Sequence, residues 1–203
     1  PVPAPIPGNF TPAAGPTNVH EIAQGVVNGI QSIIYETFEQ LDFNAVERAS
    51  ESIAKSSFVL SFGSGGASSM MAGEIETRLF RLGLKVASTE DHQLQLMRVA
   101  AAPAGTVIVA FSLSGNNAQL AKTLTVAGEY GLTRVVATRS GSLVSAQSDI
   151  LLPVNWHENA DILRPTPGRY AFLATVDVLA QTIATRLGPS AIASMRRIKH
   201  QLV

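Results

Sequence analysis

The chain has 203 residues, 46% hydrophobic and 15% charged, with 15 Lys and Arg balancing 15 Asp and Glu and no cysteine. That is enough for one domain with a sizeable core, and it excludes a global basic field for nucleic acid, a disulfide framework, a thiolate metal site and a thiol nucleophile. No apolar run approaches the roughly 20 residues that span a bilayer and no basic-then-apolar leader opens the chain, so a cytoplasmic protein is expected. Residues 1–17 come first, and six of the 11 prolines fall within 1–16. Such a stretch resists helix and strand alike and reads as an extended linker or tail, with residues 18–203 as the folded domain and a further domain expected ahead of the linker.

Asn18 followed by Glu21 resembles a capping box. Val19, Ile22, Val26, Ile30, Ile33 and Ile34 then form an apolar stripe that predicts a long amphipathic helix to about Phe38. A second helix is predicted from Asp42, with Phe43, Val46, Ala49 and Ile53 on one face. From Phe58 the pattern becomes strands alternating with helices, the strands being Phe58–Phe62, Leu84–Ser88, Val107–Phe111, Arg134–Thr138 and Ile150–Val154. Short buried runs separated by helical segments imply right-handed crossovers, hence a three-layer α/β fold with a doubly wound, five-stranded parallel sheet. A helix over Arg169–Leu187, a Gly188-Pro189 break and a last helix to Leu202 complete the chain, so helices flank the sheet at both termini.

In such sheets ligands lie outside the carboxyl ends of the strands, near the point where strand order reverses. The loops there include Ser112-Leu113-Ser114-Gly115-Asn116-Asn117, where a buried strand feeds a helix, and Gly63-Ser64-Gly65-Gly66-Ala67-Ser68-Ser69 after the first strand. Serine hydroxyls and backbone N–H groups at a helix start make an anion site without Lys or Arg, suited to a phosphate on a small molecule. The phosphate is expected on a helix starting just after Gly115, with the first-loop helix opening near Ser69. Neither a Walker A sequence nor Gly-x-Gly-x-x-Gly is present. Taken alone, each Ser-Gly turn is equally a helix cap; two of them on one rim raise the reading above that.

With these residues the chain resembles the sugar isomerase (SIS) domain and, within it, the sugar-phosphate-sensing half of the RpiR-like transcriptional regulators. The likeness covers about Asn18–Val203. It rests on the first Gly-rich turn, Arg81-Leu82-Gly83, Asp91-His92, Ser112-x-Ser114-Gly115, Thr138 with Ser142-Leu143 and Asp149, and Arg169 with Asp177. The resemblance implies phosphate-holding hydroxyls at Ser68, Ser112 and Ser114, with Gly115, Asn116 and Asn117 completing that turn. The first loop is a residue longer than the family pattern, which leaves Ser64, Ser68 and Ser69 as alternatives. Thr166 and Arg169 stand near a Pro165–Gly168 stretch where the family often has serines. No cofactor is implied. The implied partners are a phosphorylated sugar and DNA only through a domain absent from this chain, and no membrane partner is expected; the apolar stripe of the first helix and the final helix together exceed what one five-stranded sheet needs for cover, so a homodimer or higher homo-oligomer is expected.

An enzyme is the competing class. Aldose–ketose isomerisation needs a base to move a proton between adjacent carbons, and Glu74 and His92 are the candidates; against that, Glu74 is equally a surface carboxylate and His92 a polar rim residue. His157-Glu158 with Asp161 is discounted as a metal site, since no second histidine lies at i+4. Asp177, in a helix otherwise apolar, is expected to pair with a neighbour such as Arg169.

Overall fold

The computed structural model describes residues 18–156 and 166–201. The proposed linker, the His157-Glu158-Asp161 cluster and Leu202 lie outside them. Two helices open the chain, α1 (Val19–Gln40) and α2 (Phe43–Lys55), each started by a side-chain cap. Asn18 accepts from the N–H of Glu21 at 3.0 Å and Asp42 from that of Ala45 at 2.9 Å, satisfying donors a helix start leaves unpaired.

Five parallel strands follow: β1 (Phe58–Phe62), β2 (Val86–Thr89), β3 (Thr106–Ser112), β4 (Thr133–Thr138) and β5 (Ile150–Pro153), in the order β2-β1-β3-β4-β5. β2 begins two residues later than the sequence suggests. Gly83, at φ 92°, and Leu84 belong to the turn that closes the preceding helix, where the Leu84 N–H is held by Leu79 O. Between the strands run α3 (Gly66–Arg81), α4 (His92–Ala100) and α5 (Ala118–Glu129), while only a 3-10 turn at Ser145–Gln147 stands between β4 and β5. The last two helices, α6 (Gly168–Leu187) and α7 (Pro189–Gln201), meet at Gly188, whose φ of 55° suits a residue without a Cβ.

β3 explains the layering. All seven of its residues are buried, as a central parallel strand requires. Val107, Val109 and Phe111 face a core shared with α2, α3 and α6, whereas Ile108 and Ala110 face α4 and α5. Phe111 meets Phe172 of α6 edge-to-face at 6.1 Å. The fold is thus the doubly wound α/β sandwich expected. α1 is less integrated: it packs on α6 through Ile33 and Thr37, while Val19, Ile22, Val26 and Val27 remain exposed.

On the face covered by α3, Arg78 bonds Glu74 at 2.7 Å and Asp177 of α6 at 2.7 Å. The expected Arg169–Asp177 pair is therefore corrected. The two residues are eight apart on one helix, about 12 Å along its axis, and the Asp177 side chain is half-exposed rather than buried.

Candidate functional site

Strand order reverses between β1 and β3, so the carboxyl ends of these neighbours define the crevice of the sheet. The β3–α5 turn is built chiefly from its own side chains. Ser112 Oγ accepts from the Gly115 N–H at 3.2 Å, and Ser114 Oγ from the Asn116 N–H at 3.2 Å. Asn117 Oδ1 accepts from Leu120 N–H at 3.0 Å, which makes Asn117 the cap and moves the start of α5 to Ala118. The helix expected directly after Gly115 is corrected accordingly. Ser112 is buried at 4% exposure, whereas Ser114 and Asn116 are exposed.

Gly115 has φ 73°, and a Cβ there would lie 2.4 Å from Ser142 Cβ and 3.2 Å from Thr138 Oγ1. Only glycine fits. The close approach lets the Gly115 carbonyl accept from Val144 N–H at 2.9 Å, while Thr138 Oγ1 donates to the Ser112 carbonyl at 2.7 Å. On the other side the buried Trp156 donates from Nε1 to the Leu113 carbonyl at 3.4 Å. Across a planar trans peptide the N–H points opposite to the carbonyl, so the Ser114 N–H is turned away from the indole, and it has no acceptor among the described residues. The turn therefore presents an N–H without an acceptor among the described residues, an exposed serine and the positive end of α5.

The β1–α3 turn uses the same residue types differently. α3 begins at Gly66, three residues before the expected start near Ser69, with Gly65 as a cap that offers no side chain. Ser68 therefore falls in the first turn, is buried at 6% exposure, and its Oγ accepts from the Leu113 N–H at 3.1 Å. That bond ties the two serine-rich turns together. Ser64 Oγ donates to the Glu90 carbonyl at 2.6 Å, and Ser69 Oγ back to Gly66 at 3.1 Å.

Of the remaining candidates, Thr166 lies just ahead of α6 and Arg169 is exposed in its first turn, stacked 4.8 Å over the Tyr170 ring. His92 opens α4 beside the β1–α3 turn. Glu74 lies two turns into α3 and is held by Arg78; the structure does not bring it and His92 together. Sequence reasoning passed over Trp156, Arg139, which sits 5.3 Å over the Trp156 ring, and Gln95. The lone tryptophan just after β5 was the available signal for the first two; Gln95, three residues after His92 and so on the same helix face, was the signal for the third.

No family model matches the chain. Among curated relatives, the HTH-type transcriptional regulator HexR of Pseudomonas aeruginosa is 30% identical over 163 residues, covering 80% of this chain and 57% of that protein. The chain thus spans about half the length of the curated relatives it first matches. Among solved structures, NanR of Vibrio vulnificus complexed with ManNAc-6P superposes at TM-score 0.82, with 22% identity over 89% of this chain and 68% of that one. The sugar isomerase domain of an RpiR transcription factor from Sphaerobacter thermophilus gives 0.79, with 20% identity, over 89% of this chain and 99% of that one. Phosphoheptose isomerase GmhA of Neisseria gonorrhoeae gives 0.69, with 18% identity over 82% and 99%. Strand order, the paired turns and these likenesses define an SIS fold. Within that class, the sequence is similar to the HexR transcriptional regulators over about half of their length. Its fold neighbours include both regulators and isomerases.

Proposed function

We propose that this chain is the sugar-phosphate-sensing domain of a cytoplasmic, RpiR-like transcriptional regulator, with residues 18–203 as the sensor and residues 1–17 as a linker to a DNA-binding domain. The observation that carries the reading is the exposed Ser114, whose N–H has no acceptor among the described residues, beside its own hydroxyl at the N-terminal end of α5, where an anionic oxygen completes what the turn leaves open. Ser112 and Ser68 shape this cradle, with Gly115, Asn116 and Asn117 forming its floor and cap. Ser64, Ser69, Thr166 and Arg169 are available to the rest of the ligand. The kinship with HexR and the ManNAc-6P complex of NanR support a phosphosugar as the ligand class. The bare apolar residues of α1 support a homodimer or larger assembly.

A second reading, a sugar-phosphate isomerase, is favoured by fold neighbours such as GmhA. The commitment of Glu74 to Arg78 weighs against its suggested acid/base pair. A thermal-shift screen of the full chain against phosphosugars tests the sensor reading. A ligand at 100 times its dissociation constant adds about 2.7 kcal/mol of stability, and no turnover accompanies the shift. Steady turnover by the purified chain would transfer the assignment to the isomerase.

A further inference from the structure

Gln95 is fully buried in α4, at 0% exposure, although the neighbouring inward position is Val99 and an aliphatic side chain would fill the space without polar demand. A buried amide is costly unless its groups are bonded. Here they are, and the partners settle its orientation. Nε2 lies 2.9 Å from the Thr89 carbonyl, 3.5 Å from that of Glu90 and 3.3 Å from Ser64 Oγ. Both carbonyls can only accept, and Ser64 has given its one proton to Glu90 O, so the nitrogen end of the amide must face them. The oxygen end therefore faces His92 Nδ1, 3.2 Å away. An amide oxygen has no proton to give, so Nδ1 must donate and the neutral imidazole carries its lone pair on Nε2.

We propose that Gln95 is a positioning residue for the sugar end of the site: its buried amide holds the β1–α3 turn against the β2–α4 turn and locks His92 as the Nδ1–H tautomer, leaving Nε2 as an acceptor for a ligand hydroxyl. The placement fits a phosphosugar. β1 separates β2 from β3, so His92 stands two strand spacings, about 10 Å, from the β3–α5 turn. A phosphate on the Ser114 turn directs the rest of the ligand across the β1–α3 turn toward Nε2. The inference rests on the phosphate reading for its functional meaning, but the tautomer can be measured without any ligand.

Two-bond proton–nitrogen NMR on the full chain identifies which ring nitrogen of His92 is protonated. The expected result is predominantly Nδ1–H in the parent, with the ratio falling to within about threefold of even in Gln95→Leu. Gln95→Met, unbranched and close to glutamine in length, is the substitute should the leucine variant fail to fold. An Nε2–H tautomer in the parent, or an unchanged ratio in the folded variant, overturns the proposal. In parallel, inorganic phosphate is titrated while the Ser114 amide signal is followed. Its affinity is expected to stay within about twofold in the Gln95 variant, because Gln95 serves the other end of the site; a tenfold loss would overturn that division. A parent chain whose Ser114 signal ignores phosphate sinks the phosphate reading, while the tautomer result still decides the role of Gln95.

Discussion

The two turns that flank the switch point, Gly63–Ser69 and Ser112–Asn117, look nearly interchangeable as sequence and do different work in the fold. In the second, the hydroxyls fold back on N–H groups of their own turn, and the bonds from Thr138 and Trp156 reach it through carbonyls. In the first, Ser64 and Ser68 reach outward to Glu90 and Leu113. One turn is a platform and the other is a brace. Glycine is needed in both because a Cβ would collide, with the Ser68 backbone at Gly63 and with the Ser142 and Thr138 side chains at Gly115. Which partner a serine finds depends on register across the sheet, information that local sequence does not carry.

The largest expected effect comes from bracing. A Cβ on Gly63 would lie 2.0 Å from the Ser68 carbonyl oxygen, a backbone atom with nowhere to go, whereas one on Gly65 would meet nothing within 4 Å. Gly63→Ala should therefore cost about 3 kcal/mol or more, and Gly65→Ala only about 1–2 kcal/mol for its φ of 70°. Urea midpoints check the pair; equal losses would erase the distinction between clash and conformational strain.

Next come the serines. Ser68→Ala strands the Leu113 N–H and should destabilise the fold by about 1–3 kcal/mol. Ser114→Ala, at an exposed position, should change stability by less than about 0.5 kcal/mol yet weaken phosphosugar binding at least tenfold, since a hydrogen bond to a charged acceptor is worth on the order of 1.5–3 kcal/mol. Denaturation paired with calorimetric titration separates the two. A Ser114→Ala chain that binds like the parent would move the site off the platform.

A smaller contrast lies inside β1. Ser61 is fully buried with no partner for its hydroxyl among the described residues. Ser61→Ala should leave the melting temperature unchanged or raise it by a few degrees, the reverse of Ser68→Ala on the brace. A loss of stability would mean the hydroxyl is satisfied in solution.

The smallest effect is electrostatic and lies away from both turns. Arg134 grips Asp149 at 2.6 and 2.9 Å across the β4–β5 connection, and those hydrogen bonds hold the Asp149 carboxyl below its ordinary value against a smaller opposing push from burial. A carboxyl depressed in the folded state adds stability that is fully present above its unfolded value of about 4 and fades as pH falls through the lower folded value. Asp149→Asn should accordingly flatten the acid limb of a stability–pH curve below about pH 4. Because the carboxyl is partly exposed, the change should be modest and shrink in salt.

How much of this the chain discloses depends on the range of the interaction. The five strands, their parallel pairing and both core faces follow from period and composition, because β3 and β4 must be apolar on each side. The cap Asn18 and the stop at Gly188 are equally local. The start of α5 was misplaced because Asn116 and Asn117 are both plausible caps, and only the bond to Leu120 chooses between them. Asp177 found Arg78 on a different helix, and Gln95 found Ser64, 31 positions away; neither partner is within reach of a pattern along one element.

The unsupported half of α1 has a mechanical side. Its buried residues are Ile33 and Thr37 and its Phe38 meets Phe43 of α2, so the helix is a rod held in its C-terminal half. The free part, from Val19 to Gly29, extends about 16 Å. A rod of that length tilted by ~10° about its clamp carries its tip through about 3 Å, while the side chains at the pivot shift by only a fraction of that.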